Sequence, residues 1–245
     1  RIFEKIYNGI FTKVAAAPPG KQKLSAKAVA VAKKAAPFFM ADEKLPFLLG
    51  LKYNIFDKLI YSKLKKAIGF DRYISIGSAG APLLPEIHDF FWGLKVEIRK
   101  GYGLTETSPV LALDPDLSVN KVKSDLWMAP FPEVELKIAE DGEVLAKSPG
   151  VMMGYYNKPD QTREVFTSDG WFKTGDIGII DEEGYLKITD RKKDIIVTSG
   201  GKNVAPQVLE NAFAINPFIE QIAVVGDGRQ FVSALIVPSF DVLQE

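Results

Sequence analysis

Apolar residues between Leu45 and Ile68 recur at helical spacing and Gly69 supplies a stop, which predicts a helical stretch there. Helix is also the reading for Arg1-Ile-Phe-Glu-Lys-Ile-Tyr7 and for the Ala/Val-rich run 26–36. Ala17-Pro-Pro-Gly20 breaks the helices between them, since proline cannot donate to a helical ladder. The period then changes. Tyr73-Ile-Ser-Ile76 reads as a strand, Gly77-Ser-Ala-Gly-Ala-Pro82 as a turn, 85–93 as a helix and Lys95-Val-Glu-Ile98 as a second strand. A strand–helix–strand unit predicts parallel strands, whose ligands sit beyond the carboxyl ends, and the glycine-rich segments 77–82 and 101–103 both fall there, as two loops lining one crevice.

After Asp114 the pattern turns to hairpins. Glu133-Val-Glu-Leu-Lys-Ile alternates, Asp141-Gly142 turns and Glu143-Val-Leu-Ala answers; 171–180, Glu182-Glu-Gly184 and 185–189 repeat the device. Asp190-Arg-Lys-Lys-Asp194 makes a charged junction, beyond which a fresh strand, helix and strand pattern begins at Ile195. The fold class is α/β. It divides into a helical and parallel β-α-β part at 1–113, an antiparallel β part at 114–190 and a third, α+β part at 191–245.

Composition narrows the function classes. The 245 residues are 47% hydrophobic, with 31 Lys+Arg balanced by 31 Asp+Glu. Neutral charge, with no basic strip interleaved with aromatics, argues against a nucleic-acid partner. The absence of cysteine excludes a disulfide framework, a thiolate metal site and a cysteine nucleophile, and fits a reducing, cytoplasmic setting. No apolar run reaches membrane-spanning length. Lysines 5, 13, 21, 23, 27, 33 and 34 are unaccompanied by any acid from 5 to 41. They read as a solvated helical face or as a membrane-facing helix with peripheral association; the lack of Leu, Phe or Trp in 26–36 favours the solvated face.

Lys100-Gly-Tyr-Gly-Leu-Thr-Glu-Thr-Ser-Pro109 carries the candidate chemistry. Gly101 and Gly103 let backbone N–H groups approach phosphate oxygens, Tyr102 offers a flat face to a purine, and Thr105 can donate to a phosphate. Glu106 can hold Mg²⁺, an ion usually bound by one or two carboxylates plus the substrate's own phosphates. A glycine-rich turn with an incidental acid fits the same ten residues. His88, the single histidine, reads as a helix-surface residue rather than a catalyst.

Five segments then follow in order: Gly101-Tyr-Gly-Leu-Thr-Glu106, Gly150-Val-Met-Met-Gly-Tyr-Tyr-Asn-Lys-Pro159, Gly170-Trp-Phe-Lys-Thr-Gly-Asp176, Asp190-Arg-Lys-Lys-Asp-Ile-Ile and Ser199-Gly-Gly-Lys-Asn-Val-Ala-Pro206. In order and spacing they resemble the adenylate-forming enzymes, which include acyl-CoA synthetases, luciferases and peptide-synthetase adenylation domains. The opening helical region resembles the long-chain fatty acid branch. The resemblance implies a fatty acid, ATP and coenzyme A as small-molecule substrates, with Mg²⁺. It places Gly80, Ala81 and Pro82 beside the adenine, with Tyr102 stacked on it. Thr105 becomes the α-phosphate donor and Glu106 the metal ligand. Asp176 becomes the acceptor for the ribose hydroxyls, with Arg191 as a second ribose contact. Lys193 falls at the hinge of the small C-terminal domain, and Gly200 and Gly201 on the loop nearest coenzyme A. Without that context Asp176 reads equally as a turn residue, Arg191 as a solvated charge and the Lys192-Lys193 pair as plain linker.

Two departures qualify the match. The family's phosphate-binding loop and its C-terminal lysine are missing from these residues, so a piece of a longer protein is expected, inactive by itself. Lys123-Ser-Asp-Leu-Trp-Met-Ala129 stands where relatives carry a Gly-x-x-Gly segment.

Overall fold

The computed structural model describes residues 2–73, 76–80, 83–118, 120–125, 127–213, 216 and 218–243, and they form two compact units. The first comprises 1–103 and 110–129, the second 104–109 and 130–245.

In the first unit, helices α1 (Ile2–Ala15), α2 (Pro19–Met40), α3 (Phe47–Phe56) and α4 (Ser62–Ala67) precede strand β1 (Ile76–Ala79), with a π-helical turn at Asp57–Tyr61 joining α3 to α4. Helix α5 (Pro85–Gly93), strands β2 (Ile98–Gly103) and β3 (Val110–Leu113) and the two-residue strand β4 (Ala129–Pro130) follow. The sheet runs β1-β2-β3-β4. β1 pairs parallel with β2, and β3 antiparallel with β2, so the sheet is mixed.

Small residues let the helices approach. Ala28, Ala32, Ala35 and Ala36 make the buried face of α2, and a Cβ on Gly93 of α5 would lie 2.4 Å from the Ala32 carbonyl oxygen. The contact therefore requires glycine. Lys21, Lys23, Lys27, Lys33 and Lys34 of α2, with Lys5 and Lys13 of α1, are exposed. Aromatic rings fill the rest of this core, Tyr7 of α1 standing edge-on to Phe90 of α5 at 5.1 Å.

The second strand of the parallel pair, β2, begins three residues later than the sequence pattern indicates, while residues 74 and 75 of the expected first strand lie outside the described residues. The cause is the end of α5. The Val96 N–H donates to the Phe91 carbonyl and Lys95 takes a left-handed φ of 56°, so the chain is still closing the helix where a strand was expected. Tyr73 is occupied as well: its hydroxyl accepts from the Glu97 N–H and donates to the Lys95 carbonyl. Residues 77–79 and 101–103, expected as turns, are consequently strand. Gly101 is closely packed there, since a Cβ would meet Leu113 at 3.3 Å.

The second unit is built from an antiparallel sheet in the order β5-β6-β7-β8, namely Glu135–Ile138, Glu143–Lys147, Phe172–Ile180 and Leu186–Arg191, with helix α6 (Pro159–Glu164) between β6 and β7. Hairpin strands β9 (Ile196–Val197) and β10 (Asn203–Val204), helix α7 (Pro206–Phe213), the antiparallel strands β11 (Ile219–Val225) and β12 (Ser233–Pro238) and helix α8 (Phe240–Leu243) complete it. Helix α7 packs on β11 and β8. The charged junction begins inside a strand, because Arg191 is the last residue of β8 and pairs with Asp176.

Candidate active site

In the first unit, Gly80 follows the carboxyl end of β1, and the last residue of β1, Ala79, pairs with Gly101 on β2. Gly80 and the Gly101-Tyr102-Gly103 run therefore lie at neighbouring strand ends, with the Tyr102 side chain partly exposed. Ala81 and Pro82 lie outside the described residues.

Directly before Gly101 sits a buried polar cluster that no pattern in the sequence signals. The Lys100 ammonium is 3.1 Å from Asp114 Oδ1 and donates to His88 Nε2 at 3.2 Å and to the Lys123 carbonyl at 2.8 Å, while its backbone N–H donates to Asp114 Oδ2. A lysine that donates to Nε2 makes that nitrogen an acceptor, which leaves the proton on Nδ1, 3.3 Å from Asp89 Oδ1. His88 is thus fully buried and not on the helix surface as expected, because α5 is covered on most of its circumference. Burial pushes the Lys100 pKa down, and the Asp114 carboxylate opposes that. Lys123 and Ser124, part of the atypical segment, are used here as partners: the former's carbonyl accepts from Lys100 and the latter's hydroxyl donates to Asp89.

In the second unit, Thr105–Thr107 form one 3₁₀ turn, locked by the buried Thr107, whose hydroxyl accepts from the Leu104 N–H and donates to the Pro109 carbonyl. Thr105 is exposed and Glu106 half-buried. Segment 150–155 packs on this turn. The Met152 N–H donates to the Glu106 carbonyl at 2.7 Å, and the Tyr155 hydroxyl donates to Glu106 Oε1 at 2.9 Å. A Cβ on Gly150 would lie 2.7 Å from the Thr107 carbonyl oxygen, so this contact also needs glycine. Partial burial and the Glu106 carboxylate both raise the Tyr155 pKa. The phenol is a firm donor at neutral pH.

On β7 and β8 of the same unit, Asp176 and Arg191 are direct ladder partners, with Arg191 Nε 3.4 Å from Asp176 Oδ1. Asp176 is therefore a strand residue rather than a turn residue. Its N–H donates to Thr174 Oγ1, whose own hydroxyl donates to the Val144 carbonyl. The aspartate is 4% exposed while the Arg191 side chain is largely open. Neighbouring Asp190 accepts from the Arg191 N–H, and burial holds its carboxyl above the usual range. Lys193 is exposed. Gly200 and Gly201 lie in the exposed turn between β9 and β10, with open space where each Cβ would stand.

The donors suit a metal that is completed by a substrate. Among the described residues no group of three or more His, Cys, Asp or Glu forms a protein-only metal cage. A single half-buried carboxylate with one oxygen held by a phenol matches the needs of Mg²⁺, which keeps phosphate oxygens and water as its other ligands. Tyr155, Glu143 and Lys192 received no role from sequence reasoning, although Tyr155 and Lys192 both lie in recognised motifs.

The chain matches the AMP-binding enzyme family over residues 10–156 and the AMP-binding enzyme C-terminal domain over 193–245. It is 44% identical over 237 residues to the long-chain-fatty-acid–CoA ligase FadD15 of Mycobacterium bovis, covering 96% of this chain and 38% of that protein. It is 32% identical to the long-chain-fatty-acid–CoA ligase heimdall of Drosophila melanogaster, covering 96% and 35%. Among solved structures it resembles the AMP complex of the A-PCP didomain of carboxylic acid reductase from Segniliparus rugosus, at TM-score 0.62 and 25% identity over 87% of this chain and 30% of that one. An ATP-bound RpMatB-BxBclM chimera gives TM-score 0.62 and 29% identity over 74% and 39%. The chain thus spans well under half the length of these relatives, yet the family match takes in more than half of its own residues and its architecture is theirs: it belongs to the AMP-binding enzyme family.

Proposed function

We propose that the natural full-length protein is an ATP-dependent acid–thiol ligase that activates a long-chain fatty acid and passes it to coenzyme A. The observation that carries this reading is the Asp176–Arg191 pair. A nearly buried carboxylate beside an open guanidinium suits a vicinal diol on a charged nucleotide, because a carboxylate can accept from both hydroxyls.

In the first step a fatty-acid carboxylate oxygen attacks the α-phosphorus of ATP, forming an acyl-adenylate as the bond to pyrophosphate breaks. In the second, the coenzyme A sulfur attacks the acyl carbon and AMP leaves, the thiol proton passing to solvent. Free carboxylate resists this thiol attack because oxide would have to depart, whereas AMP is a good leaving group. The protein's work is positioning and charge neutralisation, which needs no cysteine.

Thr105 would donate to the α-phosphate and Glu106 would hold Mg²⁺, which when bound neutralises phosphate charge. Tyr102, with Gly80, Ala81 and Pro82, would border the adenine, and Gly101 and Gly103 would let backbone N–H groups approach the phosphates. Lys193 would be the pivot between a large domain ending near Asp190 and a small one from Arg191 onward, with Gly200 and Gly201 approaching coenzyme A. The names of the Mycobacterium and Drosophila relatives support a long-chain acid, whereas the carboxylic acid reductase neighbour keeps other acids as the alternative. Cytoplasmic location with peripheral membrane contact belongs to the same proposal; no described helix is long and apolar enough to cross a membrane. The 245 residues alone are proposed to be inactive.

The test is ATP–pyrophosphate exchange by the full-length protein with palmitate, benzoate or no acid. Palmitate-dependent exchange, abolished or strongly weakened by Asp176→Ala, is expected. Exchange with benzoate but not palmitate would reassign the acid, and none with either would refute the ligase reading.

A further inference from the structure

Glu143 and Lys192 have no part in the roles above, yet they close a ring of contacts around the peptide that precedes Asp176. Gly175 sits at φ 74°, a conformation that costs other residues. Its N–H donates to Glu143 Oε1 at 2.9 Å, and its carbonyl accepts from the Lys192 N–H at 2.8 Å. The two clasping residues are bonded to each other as well, with Lys192 Nζ donating to Glu143 Oε2 at 2.8 Å. The same ammonium reaches Asp141 Oδ2 at 2.6 Å.

The position of the ring in the sequence gives it meaning. Asp176 is one peptide bond beyond Gly175, and Arg191 is one peptide bond before Lys192. A clasp that fixes Gly175 against Lys192 therefore fixes the strand register at which Asp176 and Arg191 face each other. Glu143 is only 5% exposed, so its carboxylate is largely shielded from competing water, and the two hydrogen bonds that Lys192 donates to Asp141 and Glu143 raise its pKa and keep it charged.

We propose that Glu143 and Lys192 are positioning residues, which hold the Asp176–Arg191 pair at the spacing a ribose diol requires without touching the nucleotide themselves. This rests on the assignment of Asp176 and Arg191 to nucleotide binding.

The experiment measures AMP binding by calorimetry on the full-length protein, with melting temperature recorded for each variant. Glu143→Gln keeps an oxygen for the Gly175 N–H and should weaken AMP only about twofold, whereas Glu143→Leu leaves that N–H unpaired and should weaken it about tenfold. Lys192→Met should weaken it about fivefold and Lys192→Arg should restore near-normal binding. In an Asp176→Ala background Glu143→Leu should change the affinity by less than about twofold, because the residue it positions is gone. A purely structural role predicts the same loss in both backgrounds, and that result overturns the proposal, as does unchanged AMP binding in Glu143→Leu. If Glu143→Leu fails to fold, the same comparison with Lys192→Met decides. Asp176→Ala alone separates the two levels of inference: if it leaves AMP binding intact, the nucleotide assignment fails and the clasp proposal with it, whereas loss there with silent clasp variants removes only the clasp.

Discussion

The Tyr155 hydroxyl donates to Glu106 Oε1 at 2.9 Å while the backbone of the same segment, through the Met152 N–H, holds the Glu106 carbonyl. Main chain and side chain of one glutamate are thereby set by a single neighbouring segment. Tyr155→Phe removes only the side-chain bond, and the Mg²⁺ concentration for half-maximal pyrophosphate release in the full-length protein should rise about five- to tenfold. Glu106→Gln should cost more in rate and leave the melting temperature of the ligand-free protein nearly unchanged. Pyrophosphate release titrated with Mg²⁺ checks both, and a Glu106→Gln enzyme with unaltered metal dependence removes the metal assignment.

Gly150→Ala tests the packing that brings Tyr155 into place. Its new methyl would stand 2.7 Å from the Thr107 carbonyl oxygen, so segment or turn must shift. Overpacking of this kind costs about 1–3 kcal/mol, and adenylation should slow along with the loss of stability. Urea unfolding and pyrophosphate release on the same preparation measure the two effects.

Lys193→Pro should spare adenylation and stall thioester formation. Lys192 is tied to the Gly175 carbonyl and to two carboxylates, whereas Lys193 makes no hydrogen bond of its own among the described residues and is spanned only by the bond from the Asp194 N–H to the Arg191 carbonyl, which suits the proposed pivot. Proline locks φ at that point. Acyl-adenylate should accumulate in a quenched-flow experiment with the full-length enzyme, and equal slowing of both half-reactions contradicts the pivot.

Lys100→Met should destabilise the protein by about 3–5 kcal/mol, because Asp114 is left as a buried, uncompensated charge. The pH dependence follows from the lowered Lys100 pKa. Between that value and its ordinary 10.5 the unfolded chain holds more protons than the folded one, so the lysine's share of stability rises with pH. The gap in melting temperature between wild type and Lys100→Met should therefore widen from pH 7 to pH 10. A gap that narrows would mean the lysine is not shifted downward.

Local rules were enough for several elements. Proline at its start and a glycine at its end bound α5 at Pro85–Gly93, and Asp141-Gly142 placed the β5–β6 hairpin, because each signal lies within a few residues of the structure it sets. The order of short motifs likewise pointed to the family. The second parallel strand was misplaced by three residues because its start depends on how α5 closes at Lys95 and on a Tyr73 hydroxyl that reaches Lys95 and Glu97, neither of which has a periodic signature.

What the sequence could not supply was partnership across distance. Tyr155 meets Glu106 and Lys192 meets Glu143 across the same separation of 49 residues, while Lys100 finds His88 on α5 and Asp114 and Lys123 in the connection that follows β3. Hydrophobic periodicity encodes which face of an element is buried, but it says nothing of which polar atom waits opposite. That is decided only when tertiary packing removes water from both groups and leaves each as the other's best hydrogen-bond partner.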